Sequence, residues 1–225
     1  WVNKIMALNK LKYNSLNVTP AASEGIRFDS GADGFETASA GGNLTKIKTL
    51  TASSSDDLSF VDGASSVVLD NTYKEYIFMF NNIHPSNDSA NVQFQVSINT
   101  GSSYGVAITS NHFQAQHDEA DTETALEYDG GQDLAQGTGF QTILAKEVGN
   151  GNDESASGYL HLFDPSSTTF VKHFMARGNC QDAEPMSRDG FTAGYVNTTS
   201  AVDAIQFKMS AGTMDAGTIT LYGVN

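Results

Sequence analysis

From residue 44 to the end of the chain, apolar residues recur at every second position in short runs. No segment keeps a 3.6-residue period over the length of a helix. A period of two is the mark of strands with one buried face, because successive side chains on a strand point to opposite sides. The pattern predicts strands over 45–50, 57–61, 76–80, 92–98, 104–108, 140–144, 157–163, 170–177, 191–196, 202–209 and 218–223. Turn-forming clusters divide them, among them Ala52–Asp56, Asn150-Gly151-Asn152-Asp153 and Asp164-Pro165-Ser166-Ser167. Tyr76-Ile77-Phe78-Met79-Phe80 is apolar throughout and predicts a central strand covered on both faces. Val92, Phe94, Val96 and Ile98, followed by Asn99-Thr100-Gly101 and Tyr104–Ile108, predict a hairpin. Strands without βαβ alternation point to an all-β, two-sheet antiparallel sandwich of jelly-roll type. The strand order itself does not follow from this local pattern.

Residues 1–43 behave differently. They are rich in Asn, Ser, Ala and Gly and show no sustained period. They are expected to form an extended N-terminal arm, with residues 44–225 as the sandwich domain. Such an arm gains order by lying on partner chains, and its anchors would be Leu11, Tyr13, Leu16, Val18, Ile26 and Phe28. Met6 reads as a natural start, which leaves residues 1–5 as a short extension. The opening residues alternate polar and apolar too often for a secretory signal.

Composition narrows the classes of function. With 26 acidic and 12 basic residues the net charge is −14, which repels a phosphate backbone, so nucleic acid is not an expected partner. Cys180 is the only cysteine, which excludes an internal disulfide and counts strongly against a cysteine-based zinc site. No apolar run approaches the ~18 residues of a membrane span, and no membrane insertion is expected.

The string His117-Asp118-Glu119-Ala120-Asp121 contains the letters DEAD. A nucleotide-hydrolysing core also needs a phosphate-cradling GxxxxGK[ST] loop, and the chain has no Gly-Lys pair. His117, Asp118, Glu119 and Asp121 are candidate metal ligands, since oxygen-rich loops bind calcium. Adjacent strand positions diverge, so a solvated acidic loop within a long polar excursion is the expected state. Asp29–Glu36 departs from a calcium loop at its third position and places its glutamate too early. Candidate acid/base groups (Glu147, Asp153 and Glu154; Asp182, Glu184 and Asp189) lack a tryptophan platform, because the one Trp stands at position 1. There is no GxSxG, and no histidine lies near Cys180 in sequence. His161 and His173 lie within strand patterns and are expected to be partly buried and hydrogen-bonded. No enzyme activity and no cofactor are expected.

Several stretches together carry a family likeness: MALNKLKYNSLNVTPAASEGIRF (6–28), YIFMFNNIHPSND (76–88), HDEADTETALEY (117–128), GYLHLFDPSSTTFVKHF (158–174) and AIQFKMSAGTMDAGTITLYGV (204–224). The chain resembles virion proteins of marine bacteriophages that infect cyanobacteria and abundant ocean heterotrophs. That resemblance implies a non-enzymatic structural role, as a capsid decoration or a fibre component. It implies assembly in the host cytoplasm onto other virion proteins and onto copies of itself. The alternative is a carbohydrate-binding domain that recognises a host surface glycan. In that case the segments 111–138 and 178–190 would be loops presenting aromatics and carboxylates in one concavity.

Overall fold

The computed structural model describes residues 43–225, together with the backbone of two strands nearer the N-terminus. The chain divides into two units, residues 1–43 and 44–225. In the first, β1 (Glu24–Phe28) and β2 (Phe35–Ser39) pair antiparallel, with Phe28 opposite Phe35 and Ile26 opposite Thr37. The segment between them reads Asp-Ser-Gly-Ala-Asp-Gly, a composition that favours reversal of the chain. Leu11, Tyr13, Leu16 and Val18 lie outside the described residues.

The second unit is all strand, turn and coil. β3 (Leu44–Thr51), β15 (Met214–Val224), β5 (Glu75–Pro85) and β11 (Ala156–Phe163) are neighbours in one sheet. β4 (Leu58–Val61), β14 (Ala204–Met209), β6 (Val92–Ser97) and β10 (Gln141–Thr142) form the other. In chain order these eight strands build two interlocked Greek keys, which is the jelly roll. Every pairing in both sheets is antiparallel.

Two insertions then widen the first sheet. β12 (Lys172–Gln181) and β13 (Met186–Val196) follow β11, and β7 (Ile108–Asp118), β8 (Thr124–Tyr128) and β9 (Ala135–Gly137) come between β6 and β10. The sheet order becomes β3-β15-β5-β11-β12-β13-β7-β8, with β9 on β7. β13 pairs with β7 along the whole length of both strands.

The space between the sheets is filled by phenylalanines. Phe207 on β14 meets Phe60, Phe78 and Phe80 with ring centroids 6.2, 5.2 and 5.1 Å apart. Phe94 packs edge-on against Phe174 at 5.0 Å. All six are buried. Removing each ring from water contributes ~1.5–3 kcal/mol, and edge-to-face pairs add somewhat more.

Several expectations need correction. β5 is central in its sheet but covered on one side. Tyr76, Phe78 and Phe80 are buried, whereas Met79 is 37% exposed, because no second layer covers the outer face among the described residues. The predicted hairpin 92–108 does not form, although its turn does. Thr100 and Gly101 adopt φ of 58° and 74°, and Ser97 Oγ accepts from the amides of Asn99 and Gly101. Both edges of β6 are already taken by β14 and β10. Residues 103–107 therefore cross as coil to the other sheet. The buried Gln95 carboxamide holds the crossing by donating to the carbonyls of Val106, Thr138 and Gly139. Residues 111–138 and 178–190 are for the most part strands rather than loops.

The segment after β10 lies against the inner faces of β11, β12 and β13. Gly158, Gly178 and Gly190 stand side by side across β11, β12 and β13. A Cβ on Gly178 would lie 2.6 Å from Leu144 Cβ, and one on Gly190 would lie 1.8 Å from the Leu144 carbonyl oxygen. The row of glycines lets Leu144 and Ala145 lie directly on the sheet. Leu144 does so at φ 62°, a left-handed conformation costing a branched residue on the order of 1 kcal/mol or more.

Candidate functional site

The outer face of the widened sheet collects the exposed apolar side chains that a packed core would have absorbed. Cross-strand register sets Met79, Tyr159, Arg177, Phe191, Phe113 and Tyr128 in one row across β5, β11, β12, β13, β7 and β8. Phe113 is 40% exposed, Tyr128 61% and Tyr159 36%. Phe113 and Phe191 stack face to face at 4.8 Å with a 4° interplanar angle. Arg177 lies over the other face of Phe191, 4.7 Å from the centroid. Asp189 then fixes the guanidinium by accepting from Nη2 at 2.7 Å and Nε at 3.3 Å. Those hydrogen bonds raise the arginine's already high pKa, so it is permanently charged. The next row out holds His161, Met175, Ala193 and Asn111.

Hollows open on either side of the Tyr159–Arg177 pair. One, of about 280 Å³, is lined by Asn111, Phe113, Tyr159, Met175, Arg177 and Ala193, among others. The other, of about 430 Å³, is lined by Gly158, Tyr159, Arg177, Gly178, Asn179 and Asp189. A third, of about 310 Å³, continues past Asn179 to Gln181, Ser187 and His117. Because alternate residues of one strand are ~7 Å apart, Met175, Arg177, Asn179 and Gln181 mark out the length of this trough.

The residues singled out in sequence have other roles. His117 and Asp118 end β7, and Asp118 caps the turn into β8. Its Oδ1 accepts from the amides of Thr122 at 2.8 Å and Glu123 at 2.7 Å. The Thr122 hydroxyl donates to Oδ2 at 2.5 Å, and these bonds pull the carboxyl down to about 2, with the hydroxyl the largest cause. His117 Nε2 lies 3.2 Å from Asp121 Oδ1, and Asp121 sits at φ 58°. Among the described residues no three His, Cys, Asp or Glu side chains are grouped to hold a metal ion. The four letters thus form the tip of a hairpin.

His161 is half-buried, bonded through Nδ1 to Glu75 and set edge-on to Tyr159 at 5.1 Å. His173 departs from expectation: it is exposed on the outer face, 6.2 Å from the Tyr195 ring. Cys180 is buried on the inner face of β12, and burial pushes its thiol up to about 12, so it is no nucleophile. Tyr159, Met175 and Arg177 were not visible as site residues in sequence. The available signal was the run Tyr159-Leu160-His161-Leu162-Phe163, which is bulky on both faces of a strand.

Buried charges are occupied in structural bonds. Arg188 donates to Asp182 through Nε and to Gln116 Oε1 at 3.0 Å, and its Nη2 lies 3.0 Å from Glu147 Oε2. Lys172 is fully buried, and its Nζ donates to the carbonyls of Ser167, Phe170 and Thr198 at 2.6–3.1 Å. Burial lowers its pKa.

No protein-family model matches the chain, and no curated protein matches it at a significant level.

Proposed function

We propose that this chain is a bacteriophage virion component without catalytic activity. It would be a jelly-roll module carried on its N-terminal unit, as a head decoration or part of a fibre or other appendage, and assembled in the host cytoplasm. The observation that carries the reading is the division into a small unit of 1–43 and a closed jelly roll of 44–225. Stretches that resemble marine phage virion proteins lie in both units. The buried ionisable groups support it, since Arg188, Asp182 and Lys172 serve the fold rather than a cleft. A charge of −14 suits a body that must keep particles apart. The partners of the first unit would be other virion proteins and further copies of the chain. Removing residues 1–42 is expected to abolish incorporation into particles while leaving cooperative unfolding of the jelly roll intact. A truncated chain that is incorporated normally overturns the proposal.

One observation favours the second reading, a carbohydrate-binding domain. Phe113 and Tyr128 from one expected segment and Asp189 from the other meet on a single face, together with Tyr159 and Arg177.

A further inference from the structure

The trough along β12 and β13 is shaped and charged for one kind of occupant. β12 is hydrogen-bonded on both sides, to β11 and to β13, so no main-chain groups are available to an extended peptide, which would need a free sheet edge. Its exposed apolar surface is broken up by polar side chains, with Asn111, Asn179 and Ser187 bordering it. A stable interface with a second copy needs ~20–30 residues a side around an apolar centre.

Charge is the second constraint. On the outer faces of β12 and β13 the Arg177 cation is matched by the Asp189 carboxylate at 2.7 Å. The trough centre is therefore close to neutral on a strongly acidic molecule, which suits an uncharged ligand and disfavours a sulfated or carboxylated one. What remains is a mixture of apolar surface and paired polar groups. Tyr159, Met175 and Phe113 offer surface for C–H faces. The Arg177–Asp189 pair sets donors and acceptors side by side, and a hydroxyl group is both at once. Asn179 Nδ2 is taken by Ser187 Oγ and the Arg188 carbonyl, which orients its carboxamide oxygen. The stack Arg177–Phe191–Phe113 holds the wall in place before any ligand arrives, which lowers the entropic cost of binding.

We propose that this trough binds a linear, uncharged oligosaccharide, with successive sugar rings in the hollows that flank the Tyr159–Arg177 ridge. The site rests on the carbohydrate reading and is independent of whether the chain is carried on a virion.

The test is affinity electrophoresis of the full chain in native gels cast with soluble β-1,3-glucan, β-1,4-mannan or α-1,4-glucan, beside a gel cast with a sulfated galactan. Retardation by at least one neutral polymer and none by the sulfated one is expected. Tyr159→Ala and Arg177→Ala should weaken it at least tenfold and Met175→Ala severalfold. Tyr159→Phe should keep most of it, and Lys74→Ala, in an exposed ion pair remote from the trough, should not alter it. Thermal unfolding of each variant at the wild-type temperature confirms that the fold survives. Retardation that persists in both Tyr159→Ala and Arg177→Ala overturns the trough but leaves carbohydrate binding standing. Retention only by the sulfated galactan overturns the uncharged ligand, and no retention by any polymer overturns both.

Discussion

The two halves of the large sheet solve the same problem with different chemistry. Across β15, β5 and β11 the inner face is hydrocarbon, with Phe78, Phe80, Leu160, Leu162, Ile219 and Leu221 buried against Phe60 and Phe207 of the opposing sheet. Across β12, β13 and β7 the inner face mixes apolar residues with Lys172, Arg188, Thr192, His112 and Gln114, also buried. Phe174 reaches Phe94 of the opposing sheet, and the glycines beyond it meet Leu144 and Ala145 of the segment after β10. Nδ1 of His112 lies 2.8 Å from Thr192 Oγ1, whereas its Nε2 has no hydrogen-bond partner among the described residues, and burial lowers its pKa. Apart from Phe174, the polar half turns its aromatic rings outward: Phe113, Phe191 and Tyr195. A sheet wider than its partner runs out of hydrophobic cover, and the strands beyond the overlap can place bulky residues on the face that meets ligands.

Cavity formation should separate the halves most sharply. Phe207→Ala removes the ring at the centre of the aromatic cluster and is expected to cost about 3–5 kcal/mol, read as a lower midpoint in denaturant unfolding. A loss below ~1 kcal/mol would mean that the jelly-roll half is not held by that cluster. Next comes Gly190→Ala in the polar half. Its methyl would overlap the Leu144 carbonyl, and displacement of that segment should cost about 1–3 kcal/mol. A neutral result would show that the segment does not lie on the sheet.

A third measurement asks whether the halves open together. Cys180 is buried on β12 with its thiol held up to about 12, so alkylation must wait for opening. If the widened part frays independently, labelling begins at denaturant concentrations below the global midpoint; labelling that follows the global transition would make the two halves one cooperative unit.

The smallest effect belongs to the hairpin tip. The Asp118 carboxyl falls from 3.8 to about 2 because the ionised form caps the turn. Its contribution is present above the ordinary carboxylate range and is lost as pH falls through about 2. Amide exchange at Thr122 and Glu123 should quicken over that range with little change in global stability, whereas unchanged exchange would show that the cap is not formed.

The strands that were legible in sequence are those whose buried face is apolar. Leu58 and Phe60, Val92, Phe94 and Val96, and Ile205 and Phe207 reveal their period because hydrophobic contact is what orients them. β7 escaped notice because its inward residues include the polar His112 and Gln114, held through His112 Nδ1 and Gln114 Nε2, while the apolar Phe113 faces out. Alternation was present there with its polarity reversed. The path after β6 was also hidden, because turn chemistry at Asn99–Gly101 reports a reversal but not which sheet receives the chain. The trough is assembled from four strands, with β7 far in sequence from β11, β12 and β13, so its register is a property of tertiary pairing. Phe113, Tyr128 and Asp189 could be named as candidates by segment, but not Tyr159 or Met175 as their neighbours.

The glycine row has a mechanical consequence. Gly158, Gly178 and Gly190 leave a crease across three strands on the inner side, and on the outer side their immediate chain neighbours include Tyr159, Arg177, Asp189 and Phe191. Leu144 and Ala145 fill that crease like a spline, so the strands that carry the trough are braced from the opposite side of the sheet.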